Sequence, residues 1–201
     1  MRRSHGSGAQ KDNWVYRLLT KLLDFGFALA VIVFFGWLLL IVAVLIRLEG
    51  GGPVLFVQDR VGRFGKTFKC LKFRSMKLGT VQAGTHEVAQ DRLTRVGKFI
   101  RKTKLDEFPQ VWNILCGEMS LVGPRPCLPV QEELIAERKK RGVLEVLPGI
   151  TGYAQVRQID MSTPELLAKT DAEYIALRTF PLDLKIVYQT FLGRGGGDKT
   201  R

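Results

Sequence analysis

The chain has 201 residues, a formal net charge of +12 and 46% hydrophobic residues, enough for one domain with a core of ordinary size plus a membrane element. This positive charge indicates anionic partners, such as phosphorylated substrates, acidic lipid headgroups or nucleic acid. The three cysteines, Cys70, Cys116 and Cys127, show no spacing typical of a zinc site or a disulfide framework. We therefore expect a reduced domain that faces the cytoplasm.

Residues 25–46 form an uncharged apolar run, and residues 1–24 before it form a basic N-terminal segment. A helix over this run reaches roughly 33 Å, enough to cross a bilayer core of roughly 30 Å. The run is too long for a signal peptide, and Arg47 follows it where a cleavable signal needs small residues. We expect a retained membrane helix, and its presence favours lipid or phosphate partners over nucleic acid.

The charges beside the apolar run indicate how it meets the membrane. Residues 1–24 carry five Lys or Arg against two acidic residues, and residues 47–80 carry eight against two. Short basic flanks prefer the cytoplasm, so two basic flanks favour a re-entrant helix, which we expect to kink near Gly36. A spanning helix stays open as the alternative, because a glycine without a neighbouring proline is a weak helix breaker.

A short β-hairpin is predicted after the membrane helix. Val54–Val57 and Thr67–Phe73 have strand composition, and residues 63–66 form the turn between them. A basic stripe follows the second strand through Lys72 to Arg74. Such a stripe suits a solvated face, and next to a membrane it also suits lipid headgroups or a diphosphate.

Amphipathic helices are predicted over the rest of the chain. Residues 78–91 lack periodicity and predict a mobile loop, and 193–201 predict a flexible tail. The overall expectation is a membrane-associated α+β fold, in which residues 47–192 form a small cytoplasmic domain. Apolar residues recur at helical spacing over about 92–102, 105–115, 128–141, 162–178 and 182–192.

Two adjacent carboxylates, Asp106 and Glu107, come shortly before Pro109. Proline fits a helix only in its first turn, so the two acids are predicted in the opening turn of a helix that continues to Leu115. The positive end of a helix dipole favours ionised carboxylates there. One ionised carboxylate can attack phosphorus while its neighbour binds a divalent cation such as Mg²⁺. An ordinary acidic helix start is the simpler alternative.

Two turns rich in glycine and proline follow the acids. In Gly-Pro-Arg-Pro, residues 123–126, two prolines stiffen the backbone around Arg125, whose planar side chain suits phosphate. In Pro-Gly-Ile-Thr-Gly-Tyr-Ala-Gln, residues 148–155, the backbone can bind phosphate or form a wall for a base or sugar, with Gln155 as a candidate contact. The candidate site therefore comprises a carboxylate pair and phosphate- or substrate-binding residues: Asp106, Glu107, Arg125, Lys72, Arg74 and Gln155.

In fixed order, these motifs resemble the bacterial sugar transferase family, the monotopic phosphoglycosyl transferases. The resemblance covers nearly the whole chain. It rests on Asp24 at the entry to the membrane helix, Phe-Arg-Ser-Met at 73–76, Leu-Asp-Glu at 105–107, Met-Ser-Leu-Val-Gly-Pro-Arg-Pro at 119–126, Pro-Gly-Ile-Thr-Gly-Tyr-Ala-Gln-Val at 148–156 and Leu-Asp-Leu-Lys at 182–185. The family often breaks its re-entrant helix with Ser-Pro, where this chain has Gly36-Trp37.

The resemblance implies transfer of a sugar-1-phosphate from a UDP-sugar to a polyprenol (undecaprenyl) phosphate, with release of UMP. By resemblance, Asp106 is the nucleophile of a ping-pong reaction with an aspartyl phosphosugar intermediate, Glu107 the Mg²⁺ ligand and Arg125 the phosphate-binding arginine. The implied location is the bacterial inner membrane, with the catalytic domain in the cytoplasm. Membrane lipids and downstream membrane glycosyltransferases are then the expected partners, in the first membrane step of polysaccharide or other glycoconjugate assembly.

Two other classes of protein remain as alternatives. A membrane-tethered basic module could bind anionic lipid or nucleic acid without chemistry, and a membrane scaffold could have lost activity together with the helix break. Neither explains why Asp106-Glu107, the Gly-Pro-Arg-Pro turn and residues 148–156 occur in one small domain. The identity of the sugar has no sequence signature here.

Overall fold

The computed structural model describes residues 14–80 and 92–194, so the expectations for residues 1–13, 81–91 and 195–201 lie outside the described residues. Short 3-10 helices occur at Arg63–Gly65, Leu105–Gln110 and Val143–Glu145, and a π-helical turn at Thr190–Arg194. The α-helices and strands, in chain order, are α1 (Trp14–Gly50), β1 (Leu55–Val61), β2 (Thr67–Phe73), α2 (Arg95–Lys102), α3 (Val111–Leu115), β3 (Ser120–Val122), α4 (Glu132–Lys140), β4 (Gly149–Thr151), α5 (Tyr153–Val156), α6 (Pro164–Leu177) and α7 (Phe180–Gln189). The predicted mixed α+β fold with one long apolar N-terminal helix is confirmed.

Helix α1 is one unbroken helix of 37 residues, and here the structure differs from the predicted kink near Gly36. Trp37 replaces the proline that would remove a backbone N–H donor, so the helical hydrogen bonds can continue through this point. The Trp37 indole Nε1 also donates to the Phe34 carbonyl at 2.9 Å. By length and composition α1 is the one helix among the described residues that could cross a membrane.

One side of α1 packs on the rest of the protein along nearly its whole length. The contacting positions recur every three or four residues, which is the spacing of a single helix face. The opposite side leaves large apolar residues exposed, among them Phe34, Trp37 and Leu40, each more than 60% exposed. The packed positions include Asp24, Ala28, Val31, Phe35, Leu39, Val42, Ile46 and Glu49.

Strands β1 and β2 form the predicted antiparallel hairpin, with Leu55 opposite Phe73 and Val61 opposite Thr67. The first strand is longer than expected and continues to Val61. Phe64 in the connecting turn adopts a left-handed φ of 59°. The inner side chains of the hairpin, such as Phe68, pack against α3, α6 and α7 in the main core.

A second, parallel pair of strands was not predicted. β3 and β4 pair with Ser120 opposite Gly149 and Val122 opposite Thr151. Each strand has three residues, too few for an alternating pattern to be recognised in the sequence. The pair is important because it holds the two Gly/Pro-rich turns side by side.

Candidate active site

Three segments that are distant in the sequence meet at Glu107. Lys72 lies near the end of β2, Glu107 in the 3-10 helix before α3, and Arg125 in the loop after β3. The Lys72 Nζ atom lies 2.8 Å, and the Arg125 Nη2 atom 3.0 Å, from the same oxygen, Glu107 Oε1. The three side chains are only 15–19% exposed. The structure thus brings Lys72 and Arg125 to the predicted carboxylate pair.

The carboxylate pair lies in the first turn before α3, at the place that Pro109 predicts. The turn is a 3-10 helix, Leu105–Gln110, and α-helical geometry begins only at Val111. Lys104 before it has a left-handed φ of 58°, and its carbonyl accepts a hydrogen bond from the Glu107 N–H at 3.2 Å. This sharp start separates α2 from α3 and directs the two acids towards β2.

Glu107 is held in its charged form. Burial alone would raise the pKa of Glu107, but the charges of Lys72 and Arg125, and their hydrogen bonds to its carboxylate, hold it well below its usual range. Glu107 therefore stays ionised across the physiological pH range.

Asp106 behaves in the opposite way. Burial, and then the negative charge of Glu107, raise the pKa of Asp106 to about 6, against the opposing charges of Lys72, Arg101 and Arg125. We expected a helix dipole to favour the ionised form of both acids. The short 3-10 turn does not offset the loss of solvent around Asp106. At pH 7 the carboxylate is still mainly ionised, but it is poorly solvated.

Arg101 is a cation near the site that the sequence reasoning did not single out. Its charge opposes the rise in the pKa of Asp106, and its Nε atom donates to Ser75 Oγ at 2.9 Å. In the sequence, Arg101 is one of several basic residues on the polar side of α2. In the structure, its hydrogen bond to Ser75 in the Phe-Arg-Ser-Met motif and the effect of its charge on Asp106 distinguish it from them.

The loop that carries Arg125 is packed tightly on β4. A Cβ atom added to Gly149 would lie 2.1 Å from the Gly123 backbone nitrogen, and one added to Gly152 would lie 2.3 Å from the Gly123 oxygen. The Gly123 N–H donates to the Thr151 carbonyl at 2.9 Å, and the Gly149 N–H donates to the Pro124 carbonyl at 3.0 Å. The glycines therefore allow the two predicted turns to form one rigid unit.

Gln155, another of the predicted site residues, shares a pocket with Arg125. Its side chain is 6% exposed and lines a small pocket together with Arg125 and Asp171. Gln155 Nε2 donates to the Ile150 carbonyl at 3.3 Å, and Gln155 Oε1 is one of two buried polar atoms without a partner among the described residues. That oxygen is a buried acceptor without a partner in the part of the protein that the structure describes, and it belongs to a residue that lines the pocket.

Arg74 has a different position from the one expected of a phosphate-binding residue. Its Nη2 atom donates to the Gly51 carbonyl and, at 3.2 Å, to the Ile46 carbonyl, so its guanidinium lies at the C-terminal end of α1. A cation stabilises the negative end of a helix dipole. The structure does not bring the Arg74 guanidinium into the Glu107 cluster.

The carboxylate pair supplies oxygen atoms of the kind that a divalent cation takes as ligands. No group of three or more potential metal ligands occurs in the described parts of the chain. Mg²⁺ commonly needs only one or two protein carboxylates and completes its shell with phosphate oxygens and water. Glu107, which is ionised and has a second oxygen beside the one bound to Lys72 and Arg125, is the residue that suits it best.

Comparison with known proteins adds the family. The model of the family described as bacterial sugar transferase matches residues 15–194. The chain is 39% identical over 188 residues to a UDP-N-acetylgalactosamine-undecaprenyl-phosphate N-acetylgalactosaminephosphotransferase of Aeromonas hydrophila, covering 88% of this chain and 43% of that protein. It is also 39% identical over 209 residues to a UDP-glucose:undecaprenyl-phosphate glucose-1-phosphate transferase of Xanthomonas campestris pv. campestris, covering 96% of this chain and 42% of the relative.

A shorter relative matches along most of its length. The chain is 38% identical over 173 residues to an uncharacterized sugar transferase, EpsL, of Bacillus subtilis strain 168, covering 86% of this chain and 85% of the relative. In contrast, the chain spans about two fifths of the length of the two larger relatives. The match over residues 15–194 includes all of α1 except Trp14 and every residue of the Glu107 cluster, and the chain belongs to the bacterial sugar transferase family.

Proposed function

We propose that this protein transfers a sugar-1-phosphate from a UDP-sugar to a polyprenol phosphate, such as undecaprenyl phosphate, and releases UMP. The observation that carries the proposal is the Glu107 cluster, in which two cations share one carboxylate oxygen beside a second, poorly solvated carboxylate, Asp106. The names of the larger relatives, which act on UDP-sugars and undecaprenyl phosphate, support the same reaction.

In this proposal Asp106 is the nucleophile. Its carboxylate oxygen attacks the β-phosphorus of the UDP-sugar, the bond from that phosphorus to the oxygen bridging it to the α-phosphorus breaks, and UMP leaves with the electron pair. An oxygen of the polyprenol phosphate then attacks the same phosphorus and displaces the Asp106 carboxylate. The products are the lipid diphosphate sugar and the original enzyme. Partial desolvation supports this role, because a carboxylate that has already lost water has less to lose when it attacks.

The cations have a separate role. Lys72 and Arg125 bind the diphosphate in this proposal, and their charges offset the negative charge that the transferring phosphoryl group carries. We propose Glu107 as the residue that holds Mg²⁺, which when bound would supply further neutralisation of phosphate charge. The unpartnered Gln155 Oε1 supports a hydrogen bond to the base or the sugar of the donor.

We also propose that α1 attaches the protein to the cytoplasmic face of the bacterial inner membrane. The exposed side of α1 is apolar from Phe25 to Leu45, and α2, α3 and α7, which contact α1, expose Phe99, Trp112 and Tyr188. A lipid acceptor would have to be met at such a surface. Membrane glycosyltransferases that extend the lipid-linked sugar are the expected downstream partners.

The contacts of α1 support a helix with both ends on one side of the membrane. Near its start, Tyr16 donates a hydrogen bond to Asp183 Oδ2 at 2.8 Å. Near its end, the Glu49 carboxylate accepts hydrogen bonds from the Arg95 and Val96 N–H groups at 2.6 and 3.0 Å. A helix that crossed the bilayer away from a cytoplasmic domain could not keep both contacts. We infer that α1 lies in the membrane interface, so that the expected same-side topology needs no break at Gly36.

A donor screen tests the reaction. Purified protein is incubated with Mg²⁺, polyprenol phosphate and a panel of UDP-sugars, and UMP release is measured. We expect release with at least one donor, and none with Asp106→Asn. Without the lipid, labelled UMP should exchange into the donor, because a phosphosugar intermediate can react backwards. If no donor gives UMP, the protein is a binding module or an inert scaffold. If UMP is released and Asp106→Asn matches the wild type, Asp106 is not the nucleophile.

Cysteine labelling tests the topology. Ser7→Cys and Thr103→Cys are made separately in a Cys116→Ser background, because Cys116 is the exposed native cysteine among the described residues. Both positions should resist a membrane-impermeant maleimide in intact cells and react after permeabilisation. Labelling of Ser7→Cys alone in intact cells would show that α1 spans the membrane.

A further inference from the structure

The loop that presents Arg125 has hydrogen bonds on four consecutive backbone carbonyls. Two of the donors are backbone groups: Gly149 N–H donates to the Pro124 carbonyl at 3.0 Å, and Val61 N–H donates to the Cys127 carbonyl at 2.9 Å. The two carbonyls between them belong to Arg125 and Pro126. Both of these accept from arginine side chains that are remote in the sequence.

Arg138 on α4 supplies the hydrogen bond to Arg125 itself. Its Nη1 atom donates to the Arg125 carbonyl at 2.9 Å, while its Nε and Nη2 atoms donate to Asp171 Oδ2 on α6 at 3.0 and 2.7 Å. The side chains of Arg138 and Asp171 are each only 3% exposed. One planar guanidinium therefore joins a carboxylate on one side to the Arg125 backbone on the other.

Arg60 on β1 supplies the hydrogen bond to the next residue. Its Nη1 atom donates to the Pro126 carbonyl at 3.0 Å, and its other side is directed by Gln58 Oε1, at 3.1 Å from Nε and 2.7 Å from Nη2. Arg60 and Gln58 are each 7% exposed. Two buried arginines thus hold consecutive peptide groups of the same loop, each directed by a second side chain.

A buried ion pair is weak evidence for stability, because the loss of solvation around both charges offsets most of their attraction. Apolar residues would join α4 to α6 at least as well. What an apolar pair could not supply is a donor for the Arg125 carbonyl with a fixed direction. Lysine could pair with Asp171, but its single nitrogen on a flexible stem could not keep the planar bridge.

We infer that Arg138 is a positioning residue for phosphate binding, with Asp171 directing it and Arg60 acting in parallel on Pro126. By fixing the Arg125 peptide group, Arg138 sets the direction from which the Arg125 side chain reaches Glu107 and the donor diphosphate. The inference deepens the proposed function and rests on it for the identity of the ligand. The chemistry it concerns is binding of a nucleoside diphosphate group.

A double-mutant cycle separates positioning from simple stabilisation. The variants are Arg138→Lys, Arg125→Ala and the two together, with Arg157→Lys as a matched control in an exposed pair with Glu173. Binding of UDP is measured by calorimetry, and UMP release from the best donor gives kcat and KM. Misplacement of a functional group by about 1 Å can reduce a reaction rate by up to about 100-fold. For a smaller shift of one phosphate-binding side chain, Arg125, we expect Arg138→Lys to weaken UDP binding roughly tenfold.

The decisive result is the effect of Arg138→Lys in the two backgrounds. If Arg138 acts through Arg125, the substitution has almost no further effect once Arg125 is alanine, and Arg157→Lys has none in either background. Equal losses in both backgrounds, or no loss in the wild type, would overturn the inference. If Arg138→Lys does not fold, Asp171→Asn replaces it in the cycle. This substitution keeps the shape of the Asp171 side chain but weakens the ion pair that orients Arg138.

Failure of the proposed function would give a different result. It would appear in the wild type, as absence of UMP release from every donor. The double-mutant cycle measures the coupling between Arg138 and Arg125 through UDP binding, so its result does not depend on turnover.

Discussion

Asp106 and Glu107 are adjacent in the sequence, yet their pKa values are displaced in opposite directions. Asp106 is raised to about 6 by burial and by the charge of Glu107, whereas Glu107 is held low by Lys72 and Arg125, which outweigh its own burial. The difference arises because both cations contact Glu107 Oε1. Separate environments for two neighbouring acids allow them to perform separate tasks.

Asp106→Asn should stabilise the protein while it abolishes transfer. When the pKa of an acid is higher in the folded than in the unfolded protein, ionisation of that acid lowers the free energy of unfolding. The loss is absent below about pH 4, grows as the pH rises from the ordinary value of 3.8 to about 6, and reaches at most about 3 kcal/mol above that. Chemical denaturation at pH 7 and pH 4 checks this, since the advantage of the variant should disappear at pH 4.

Glu107→Gln is the matched control, and we expect it to change the free energy of unfolding in the opposite direction from Asp106→Asn. Removing its charge leaves Lys72 and Arg125 partly buried without their shared carboxylate, so the free energy of unfolding at pH 7 should fall. A Glu107→Gln variant that is more stable than the wild type would show that the three-residue cluster is not formed.

The pH dependence of transfer should have an acidic limb near pH 6. In the proposed mechanism only the ionised Asp106 attacks phosphorus, so kcat/KM should fall about tenfold for each pH unit below about 6. The charge of Lys72 opposes the rise in this pKa, and Lys72→Met should therefore move the limb to higher pH as well as reduce the rate. Rates of UMP release from pH 4.5 to 8 measure both effects, and a limb that stays in place in Lys72→Met argues against a charge effect on Asp106.

Removal of divalent cations should stop UMP release, and added Mg²⁺ should restore it. Glu107→Gln should need a much higher Mg²⁺ concentration for half-maximal rate, because the variant keeps the shape of the side chain but loses the charged oxygen ligand. The measurement is a Mg²⁺ titration of initial rates after chelation. Full activity of the wild type in excess chelator would contradict this prediction.

Gly149→Ala should disrupt the Arg125 loop. Its new Cβ would lie 2.1 Å from the Gly123 nitrogen and 2.5 Å from the Thr151 oxygen, both backbone atoms that cannot turn aside. We expect a loss of at least about 2 kcal/mol in unfolding free energy and a strong loss of UDP binding. Gly36→Ala is the control: its Cβ meets nothing within 4 Å in an unbroken helix, so it should be neutral or stabilise by up to about 1 kcal/mol.

Asp24→Ala should loosen α1 from the domain. Asp24 Oδ1 accepts hydrogen bonds from Ser120 Oγ at 3.0 Å and from the Leu121 N–H at 2.7 Å. Truncation leaves a backbone donor at the β3 edge without its partner, at a cost of about 1–3 kcal/mol. Asp24→Asn keeps an acceptor oxygen and should recover most of this loss. Thermal unfolding in detergent or liposomes measures the difference, and equal effects of the two variants would contradict the hydrogen-bonding role.

The sequence was sufficient where a local rule determines the structure. Pro109 marked the turn that carries Asp106 and Glu107, and apolar periodicity located α2 and α6 to within a few residues. The prolines on either side of Arg125 and the basic stripe that includes Lys72 were also enough to make these two residues candidates. Each of these features depends on residues close together in the chain.

Features that depend on distant partners were not predictable in this way. The pairing of β3 with β4 joins two three-residue segments, and the place of Arg74 depends on where α1 ends. The roles of Arg101 and Arg138 depend on Ser75, Asp171 and the Arg125 carbonyl. No spacing in the sequence encodes these contacts, because they form only when remote elements pack together.

The unbroken packing of α1 also fixes a distance. The ring of Phe108, which directly follows Glu107, meets the ring of Phe35, midway along α1, edge to face, with centroids 5.8 Å apart. This ring contact joins the turn that carries Asp106, the proposed nucleophile, directly to α1. In the proposed orientation the height of Asp106 relative to the lipid headgroups is set by the depth of α1. A lipid acceptor would then be selected by whether its phosphate can reach the height of Asp106, and the length of its polyprenol chain would have no effect.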